Sequence, residues 1–471
     1  MPNKFTIFFS LFLAVLLSQP AAAQPTSIKL NFPEHKKDTV VLAHYYNSKI
    51  YSNDTLILDQ KGEGQFFQQE QLPQGIYMLY FGVSQQLDFL LGEQQILTIS
   101  KKQDEVKVTG ASESKWFQSY VNYLNIKKKE ATKLRSELKT AENDSTTSDH
   151  LKKQLSKLDR EMQFFWEKES AKAPDTFFGK FVGANIRTVA STENMPKTAL
   201  LNDSLRWVYS YNFNKNHYWD HFDLFDLRMW RTPMVHNKLN EYFNRILLQQ
   251  PDSVLPAAIE LIEESREQPE IFQKLTSFIL NNSVKSDYMG IENVFVAIAE
   301  KYYLTGKATW ITDKTLETIR REVFFRKNNL LGATAKELFL EDEDGQYHSL
   351  LQISTPFTIL VFWEPGCGYC KKQVPELFEE VFLKTDPSQL TIMAVCTQDK
   401  RDEWMDFIEE HELNGWINVW DPNRVSNFQI NYNTRTTPMI YLLDKNKKII
   451  AKKLTVEQAK KILDQLIAEQ N

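Results

Sequence analysis

The sequence contains little glycine and almost no cysteine. Its 15 glycines among 471 residues amount to about 3%, against ~7% in average proteins, which excludes collagen-like and low-complexity classes. The three cysteines, Cys367, Cys370 and Cys396, are too few for a disulfide scaffold and lack the spacing of a four-ligand zinc site. Positive charge is not in excess either, because 56 Lys and Arg residues face 61 Asp and Glu residues, for a net charge of −5. This balance argues against a nucleic-acid-binding protein.

The amino terminus has the plan of a secretory signal. Lys4 precedes an apolar run from Phe5 to Leu17, and small residues follow at Ala21 and Ala23. The run is about 13 residues long, whereas about 20 are needed to span a bilayer, so a cleavable signal peptide over residues 1–23 is favoured over a retained anchor. No other stretch is long and apolar enough for a membrane span. The sequence therefore predicts a mature chain in the periplasm or cell envelope, without a transmembrane segment.

Three zones with different sequence patterns follow the predicted signal peptide. Residues 24–110 alternate apolar and polar side chains between turn residues, which predicts a small β-sandwich. Residues 111–331 contain few glycines and show helical periodicity, which predicts an all-α middle domain. Residues 332–471 alternate buried-type strands with helices, which predicts an α/β fold. The predicted fold class is therefore a multidomain α+β protein.

Cys367 and Cys370 form the one close cysteine pair. Cys367 follows an apolar strand directly and precedes a helical pattern. The unpaired N–H groups and the positive dipole at a helix start stabilise a thiolate, so we expect the pKa of Cys367 to be depressed. Cys370, one turn later, lies on the same side and can attack a mixed disulfide formed at Cys367. In an oxidising compartment such a pair is a redox-active disulfide unless it is reduced.

With this pair, the zone from 332 to 471 resembles the thioredoxin superfamily, and in particular the TlpA-like exported thiol–disulfide oxidoreductases. Trp363 matches the Phe-Trp that precedes the redox loop in that family, and Pro375 matches the proline that kinks its active-site helix. Thr437-Pro438 precedes an apolar strand where the family has its cis-proline. The resemblance implies that Cys367 and Cys370 are catalytic and that no cofactor or metal is needed.

The same resemblance implies how substrates dock. The backbone of Thr437 would lie beside the first cysteine and pair with an extended substrate, with Trp363 and Pro438 shaping the groove. The two upstream zones resemble, more loosely, a β-rich and a helical domain type found ahead of such domains in exported bacterial proteins. The implied partners are thiols or disulfides of exported proteins and a membrane-linked electron donor, without nucleic acid.

Two positions depart from the family pattern. Thioredoxin has a buried Asp in the strand before its motif as a proton acceptor, and here that position is Val361. Glu364, three residues before Cys367, is a candidate for proton transfer in its place, although a solvated loop carboxylate fits the same sequence. Gly366 precedes the first cysteine, where thioredoxin often has Trp, and this opens the rim of the site.

The dipeptide between the cysteines bears on the redox potential. Gly368-Tyr369 contains no cation to stabilise the thiolate strongly, which favours a reductant over an oxidant. Lys371 and Lys372 follow the second cysteine. They would favour the thiolate or attract acidic substrates, but solubility on an exposed helix turn explains them equally well.

A third cysteine and a pair of histidines are further candidate sites. Cys396 ends an apolar strand and is interpreted as a buried structural thiol. His217 and His221 are four residues apart, so on one helix their imidazoles would share a face as metal ligands do. Tyr218 stands where a zincin would have its glutamate, and no third ligand is evident, so packing and capping are favoured over a metal site.

The predicted function is thiol–disulfide exchange on exported proteins by the Cys-Gly-Tyr-Cys pair, acting as a reductant. The alternative is an envelope scaffold or binding protein whose first two domains hold a partner. In that alternative the thioredoxin-like domain is not catalytic. The missing buried acid and the large upstream domains motivate it.

Overall fold

The structure is a computed structural model that describes residues 24–82, 85–103, 105–141 and 144–470. The predicted signal peptide therefore lies outside the described residues. The chain divides into two compact units, Met1–Tyr242 and Phe243–Asn471.

Eight strands open the first unit, and their alternating burial follows the period-two pattern of the sequence. The strands are β1 (Thr26–Asn31), β2 (Thr39–Tyr46), β3 (Lys49–Ile57), β4 (Glu63–Gln68), β5 (Gly75–Tyr80), β6 (Gln86–Leu91), β7 (Ile96–Lys102) and β8 (Glu105–Thr109). They form two four-stranded sheets, in the orders β4-β1-β7-β8 and β3-β2-β5-β6. Buried side chains of both sheets, such as Leu30 and Leu79, share one hydrophobic core. The predicted β-sandwich is confirmed.

Helices complete the first unit. They are α1 (Ser112–Thr140), α2 (Ser145–Ala171), α3 (Phe177–Gly183), α4 (Lys197–Leu200), α5 (Asp203–Asn216) and α6 (Met234–Glu241). The helices α1 and α2 form a hairpin in which the rings of Tyr123 and Phe165 stack with centroids 3.9 Å apart. Asp144 caps α2, because its carboxylate accepts the backbone N–H groups of Thr146 and Thr147.

The second unit begins with helices and continues into a sheet covered on both faces. Its first helices are α7 (Pro251–Glu264), α8 (Pro269–Val284), α9 (Glu292–Ile298) and α10 (Asp313–Arg326). The elements that follow are β9 (Phe339–Asp342), β10 (Tyr347–Ser349), β11 (Phe357–Trp363), α11 (Cys370–Leu377), β12 (Leu390–Cys396), α12 (Arg401–Glu410), β13 (Ile417–Trp420), α13 (Phe428–Asn431), β14 (Met439–Leu443), β15 (Ile449–Lys452) and α14 (Val456–Gln470).

The seven strands have the order β10-β9-β13-β12-β11-β14-β15. The strand β11 is central, parallel to β12 and antiparallel to β14. Every residue of β11 is buried, and its side chains alternate between two hydrophobic cores, with Ile359 in one and Leu360 in the other. A strand buried on both faces reads as a continuous apolar run, as this segment of the sequence does.

The predicted fold class is confirmed: a β-rich start, a helical middle region and a C-terminal sheet with helices on its faces. The helices α7–α10 belong to the same compact unit as that sheet. The proposed domain boundaries near residues 110 and 331 stay a prediction. Among the described residues, no helix combines the length and the apolarity that crossing a bilayer requires.

Candidate redox site

The loop between β11 and α11 holds Cys367 at the start of the helix. The backbone carbonyl of Cys367 accepts the N–H of Lys371 at 3.1 Å, and its Sγ accepts the N–H of Cys370 at 3.3 Å. The Cys367 side chain thus accepts the backbone N–H of the first residue of α11, one of the N–H groups left free at a helix start. The sulfur of Cys367 therefore lies at the positive end of α11, as the sequence predicts.

The two thiols of the motif have opposite environments. All three cysteines are free, and Cys367 is partly exposed whereas Cys370 is fully buried. Burial opposes the ionisation of Cys367, but hydrogen bonds from Cys370 and Thr437 outweigh it and lower the pKa of Cys367. Burial raises the pKa of Cys370 to about 12. Cys367 is therefore the more readily ionised of the two thiols, and Cys370 stays protonated beside it.

A cis peptide bond joins Thr437 and Pro438 next to these thiols. Because Met439 pairs with Phe362 at the start of β14, the residues just before Met439 lie beside the loop that follows β11. The thiol of Cys367 donates to the carbonyl oxygen of Thr437 at 3.3 Å. The structure thus brings Thr437 to the position that the resemblance implied.

Glu364 also reaches this segment. The hydroxyl of Thr437 donates to Oε1 of Glu364 at 3.2 Å. Hydrogen bonding by the Thr437 side chain also acts to lower the pKa of both Cys367 and Cys370. The Glu364 carboxylate therefore contacts the Thr437 segment and is not only a solvated loop residue.

Trp363 and Val361 lie beneath the site. Both side chains are fully buried, and the Trp363 ring packs on Phe407 with centroids 4.7 Å apart. Trp363 was expected to shape the docking groove, but a fully buried ring supports the loop from below and does not line a groove. Val361 leaves an apolar side chain where thioredoxin has its acid, as the sequence indicated.

Helix α11 and the exposed rim of the site have the features that the sequence predicts. Pro375 lies inside α11, and a π-helical turn follows that helix at Phe378–Phe382. Tyr369, between the two cysteines, is 75% exposed, and Lys371 and Lys372 are also exposed. The rim therefore offers one aromatic ring and two cations to an incoming substrate.

Cys396 takes no part in the exposed chemistry. It pairs with Trp363 across β11 and β12 and is fully buried. Burial raises the pKa of its thiol to about 12. The interpretation as a buried thiol agrees with these observations.

The two histidines considered for a metal site do not share a helix. Helix α5 ends at Asn216, so His217 and His221 both lie in the turn that follows. The Nδ1 atom of His217 is 2.7 Å from Oδ2 of Asp220, which fits the capping interpretation. The described residues contain no group of three His, Cys, Asp or Glu side chains placed to hold a metal ion.

Sequence reasoning missed two residues beside the site. The guanidinium of Arg435 donates to both carboxylate oxygens of Glu322, at 3.0 and 3.2 Å. The two residues are 113 positions apart, and no motif or periodicity connects them. Only the folded chain reveals this contact between α10 and the segment that precedes Thr437.

Comparison with known proteins agrees with this geometry. The family model for the AhpC/TSA family matches residues 331–452. The thiol-disulfide oxidoreductase ResA of Geobacillus thermodenitrificans is 28% identical over 153 residues, which are 32% of this chain and 86% of that protein. A crystal structure described as a domain of a possible thiol-disulfide isomerase from Cytophaga hutchinsonii is 35% identical, and the match covers 30% of this chain and 95% of that one, with a TM-score of 0.28.

Residues 331–452 are thus similar to the AhpC/TSA family, and the chain is similar in this region to a thiol-disulfide oxidoreductase. A thioredoxin-like protein from Bacteroides caccae also matches a longer part of the chain, at 16% identity and a TM-score of 0.42, over 59% of this chain and 98% of that one. The match to the AhpC/TSA family model and to ResA confirms the predicted resemblance to thioredoxin-like thiol–disulfide oxidoreductases.

Proposed function

We propose that this thioredoxin-like enzyme reduces disulfides in exported proteins through Cys367 and Cys370. One observation carries the proposal: a partly exposed thiol with a lowered pKa lies against a buried thiol with a raised pKa. The nucleophile of a thiol–disulfide exchange is a thiolate, and its resolving partner has to stay protonated until the mixed disulfide has formed. The pair meets both needs.

The reaction consists of two exchanges. The thiolate of Cys367 attacks one sulfur of a substrate disulfide, forms a mixed disulfide and releases the other substrate sulfur as a thiolate, which takes up a proton. Cys370 then loses its proton and attacks Sγ of Cys367, which releases the second substrate sulfur. Two electrons and two protons pass to the substrate, and the enzyme is left with a Cys367–Cys370 disulfide. A membrane-linked dithiol donor would return it to the reduced form.

Thr437 and Pro438 would hold the substrate strand for this attack. The carbonyl of Thr437 is 3.3 Å from the nucleophilic sulfur, so a strand paired with this backbone would bring its cystine to Cys367. The exposed ring of Tyr369 lies on the same rim. Trp363 would act indirectly, by fixing the end of β11 from the core.

Glu364 would receive the proton that Cys370 has to lose. Val361 provides no acceptor inside the sheet, whereas the Thr437 hydroxyl donates to Glu364 at 3.2 Å. A proton passing from the Cys370 thiol to the hydroxyl, as the hydroxyl proton passes to the carboxylate, completes the transfer. This route would take over the task of the buried acid in thioredoxin.

Insulin reduction with dithiothreitol as electron donor tests the proposal. Cys367→Ser should lower the rate at least about 1,000-fold, to that of dithiothreitol alone, because the nucleophile is gone. Cys370→Ser should accumulate mixed disulfides through Cys367, and the trapped proteins identify the substrates. Glu364→Gln should slow the reaction about 3- to 10-fold and shift its pH profile. An unchanged profile would remove Glu364 from the proton route.

The same assay separates this function from the scaffold alternative. A scaffold with a non-catalytic domain would show no difference between the wild-type chain and Cys367→Ser. It would also trap no partner in the Cys370→Ser variant, although it would still bind one through its upstream region.

A further inference from the structure

We propose that helix α10 contributes to the redox site. Its residue Glu322 and the loop residue Arg435 together position the Thr437-Pro438 segment for substrate. This inference rests on the proposed function and gives Glu322 and Arg435 the part of positioning residues. Both residues belong to the second compact unit. The segment concerned, residues 431–438, runs from Asn431, the last residue of α13, to the start of β14.

Arg435 is held by three hydrogen bonds and by one aromatic ring. Two of its N–H groups donate to the Glu322 carboxylate at 3.0 and 3.2 Å, and its Nε donates to Oδ1 of Asn433 at 2.7 Å. The guanidinium carbon lies 5.1 Å from the ring centroid of Phe325, which also belongs to α10. A two-pronged contact of this kind fixes direction as well as distance, which a single charge pair does not.

Glu322 is itself fixed. Its side chain is only 20% exposed, and Arg326 donates to its Oε2 at 2.8 Å. The hydrogen bonds from Arg435, together with the charges of Arg326 and Arg321, lower the pKa of Glu322, so its carboxylate stays ionised. The partner that Arg435 meets is therefore a rigid anion rather than a mobile surface group.

The turn after α10 holds the other end of the same segment. Asn329, fully buried, donates through Nδ2 to the carbonyl of Asn431 at 3.1 Å, and Asn328 donates to Oδ1 of Asn431 at 3.2 Å. Lys452 in turn donates to Oδ1 of Asn329 at 2.7 Å. Residues 322–329 thus bind the segment at Asn431 and at Arg435. Arg435 lies two residues before Thr437, whose carbonyl contacts Cys367.

The chemical consequence concerns protein substrates. An extended substrate has to pair with the backbone at Thr437, so a loop that moves by even about 1 Å loses reactivity towards it. A small aromatic disulfide reaches Cys367 without pairing to that backbone. Loss of the Glu322–Arg435 contact should therefore weaken reaction with proteins far more than reaction with a small disulfide.

The experiment compares insulin with 5,5′-dithiobis(2-nitrobenzoate) as substrates of the full chain, which is first reduced and freed of excess reductant so that its own thiol pair supplies the electrons. Glu322→Gln and Arg435→Lys should each lower kcat/KM for insulin about 3- to 10-fold and leave the rate with the small disulfide within about twofold. The double variant should be no worse than the worse single variant. Hydrogen exchange of residues 431–437 should become faster in each variant.

Glu317→Gln is the matched control. Glu317 pairs with Arg320 at 2.9 Å on the same helix, but both side chains are exposed and the pair does not involve the 431–438 segment. The control should keep the wild-type ratio of the two rates. Arg435 is 43% exposed, whereas Glu322 is 20% exposed. We therefore expect the Arg435→Lys chain to fold even if the Glu322→Gln chain does not.

Three results would overturn the inference. The first is a ratio of the two rates equal to that of the wild type in both positioning variants. The second is an equal loss of rate for both substrates. The third is a loss of rate of the same size in Glu317→Gln. A wild-type chain that reduces neither substrate would instead refute the proposed function. The exchange rates of residues 431–437 would then still decide whether α10 holds the loop.

Discussion

Two strands of this protein, β11 and β3, have opposite surroundings. In β11, an interior strand of the C-terminal sheet, all seven residues are buried. In β3, an edge of the sandwich, none of the nine residues is buried, and Ile57 is 70% exposed. The strand with neighbours on all sides is the one that ends in the redox loop.

This difference bears on how a site is held. A central strand is fixed by hydrogen bonds along both edges and by side-chain packing on both faces, so its end has one position. Cys367 follows such an end by four residues, and Thr437 approaches it from the neighbouring strand. An edge strand is free on one side and would hold a sulfur and a carbonyl 3.3 Å apart less well.

The largest expected effect concerns the two cysteines that follow the end of β11. Alkylation by iodoacetamide should follow the thiolate, so the rate should rise with pH until the pKa is passed. For Cys367 it should level off below the ordinary pKa of cysteine, because its pKa is lowered. At pH 8 a thiol with a pKa of about 12 is ionised to the order of 10⁻⁴, so Cys370 should react at least about 1,000-fold more slowly.

Mass spectrometry of the reduced wild-type chain locates the alkylated thiols and allows this measurement, with Cys396 as the reference for a buried thiol. Cys396 should behave like Cys370, because burial raises both pKa values to about 12. Equal alkylation rates for Cys367 and Cys370 at pH 8 would contradict the division of labour between them.

A core truncation in β11 should have the next largest effect. Ile359→Ala removes a fully buried side chain from one core and should cost about 2–5 kcal/mol of unfolding free energy. Urea unfolding, with hydrogen exchange of the β11 peptide as the local probe, measures this loss. A cost below about 1 kcal/mol would mean that β11 is not held as its burial indicates.

The smallest effect is expected in β3. Ile57→Ala truncates the same residue type at an exposed edge position, so the unfolding free energy should change by no more than about 0.5 kcal/mol. The same urea series measures it. A cost comparable to that of Ile359→Ala would show that β3 is covered by a partner in solution, and the contrast between the two strands would fail.

Much of the site could be predicted from the sequence. The Cys-Gly-Tyr-Cys spacing after an apolar strand placed Cys367 at a helix start, and Thr437-Pro438 before a second apolar strand indicated the facing loop. These signals are local, because strand, turn and helix patterns each span only a few residues. The helical periodicity of residues 111–331 is local in the same way, and in α2 it places Leu151 and Leu158 on the buried face.

Other features had no local signal. The full burial of Trp363 depends on α12, where Phe407 covers it, and the helix that would have aligned His217 with His221 ends at Asn216, before both of them. Whether Glu364 is a loop carboxylate or a partner of Thr437 depends on a contact across 73 positions. Periodicity reports which face of an element is buried, but not which distant residue covers it.

The sequence by itself determined the residue types and their order: a thiol pair at a helix start, an apolar strand before it and a proline segment before another strand. The tertiary structure decided the environment of each group, with one thiol buried and one partly exposed, and Thr437 beside both. It also decided that α10 reaches the site through Glu322 and Arg435. Local patterns arise from backbone geometry over a few residues, whereas pKa values and loop positions depend on burial and on contacts that close only when the chain has folded.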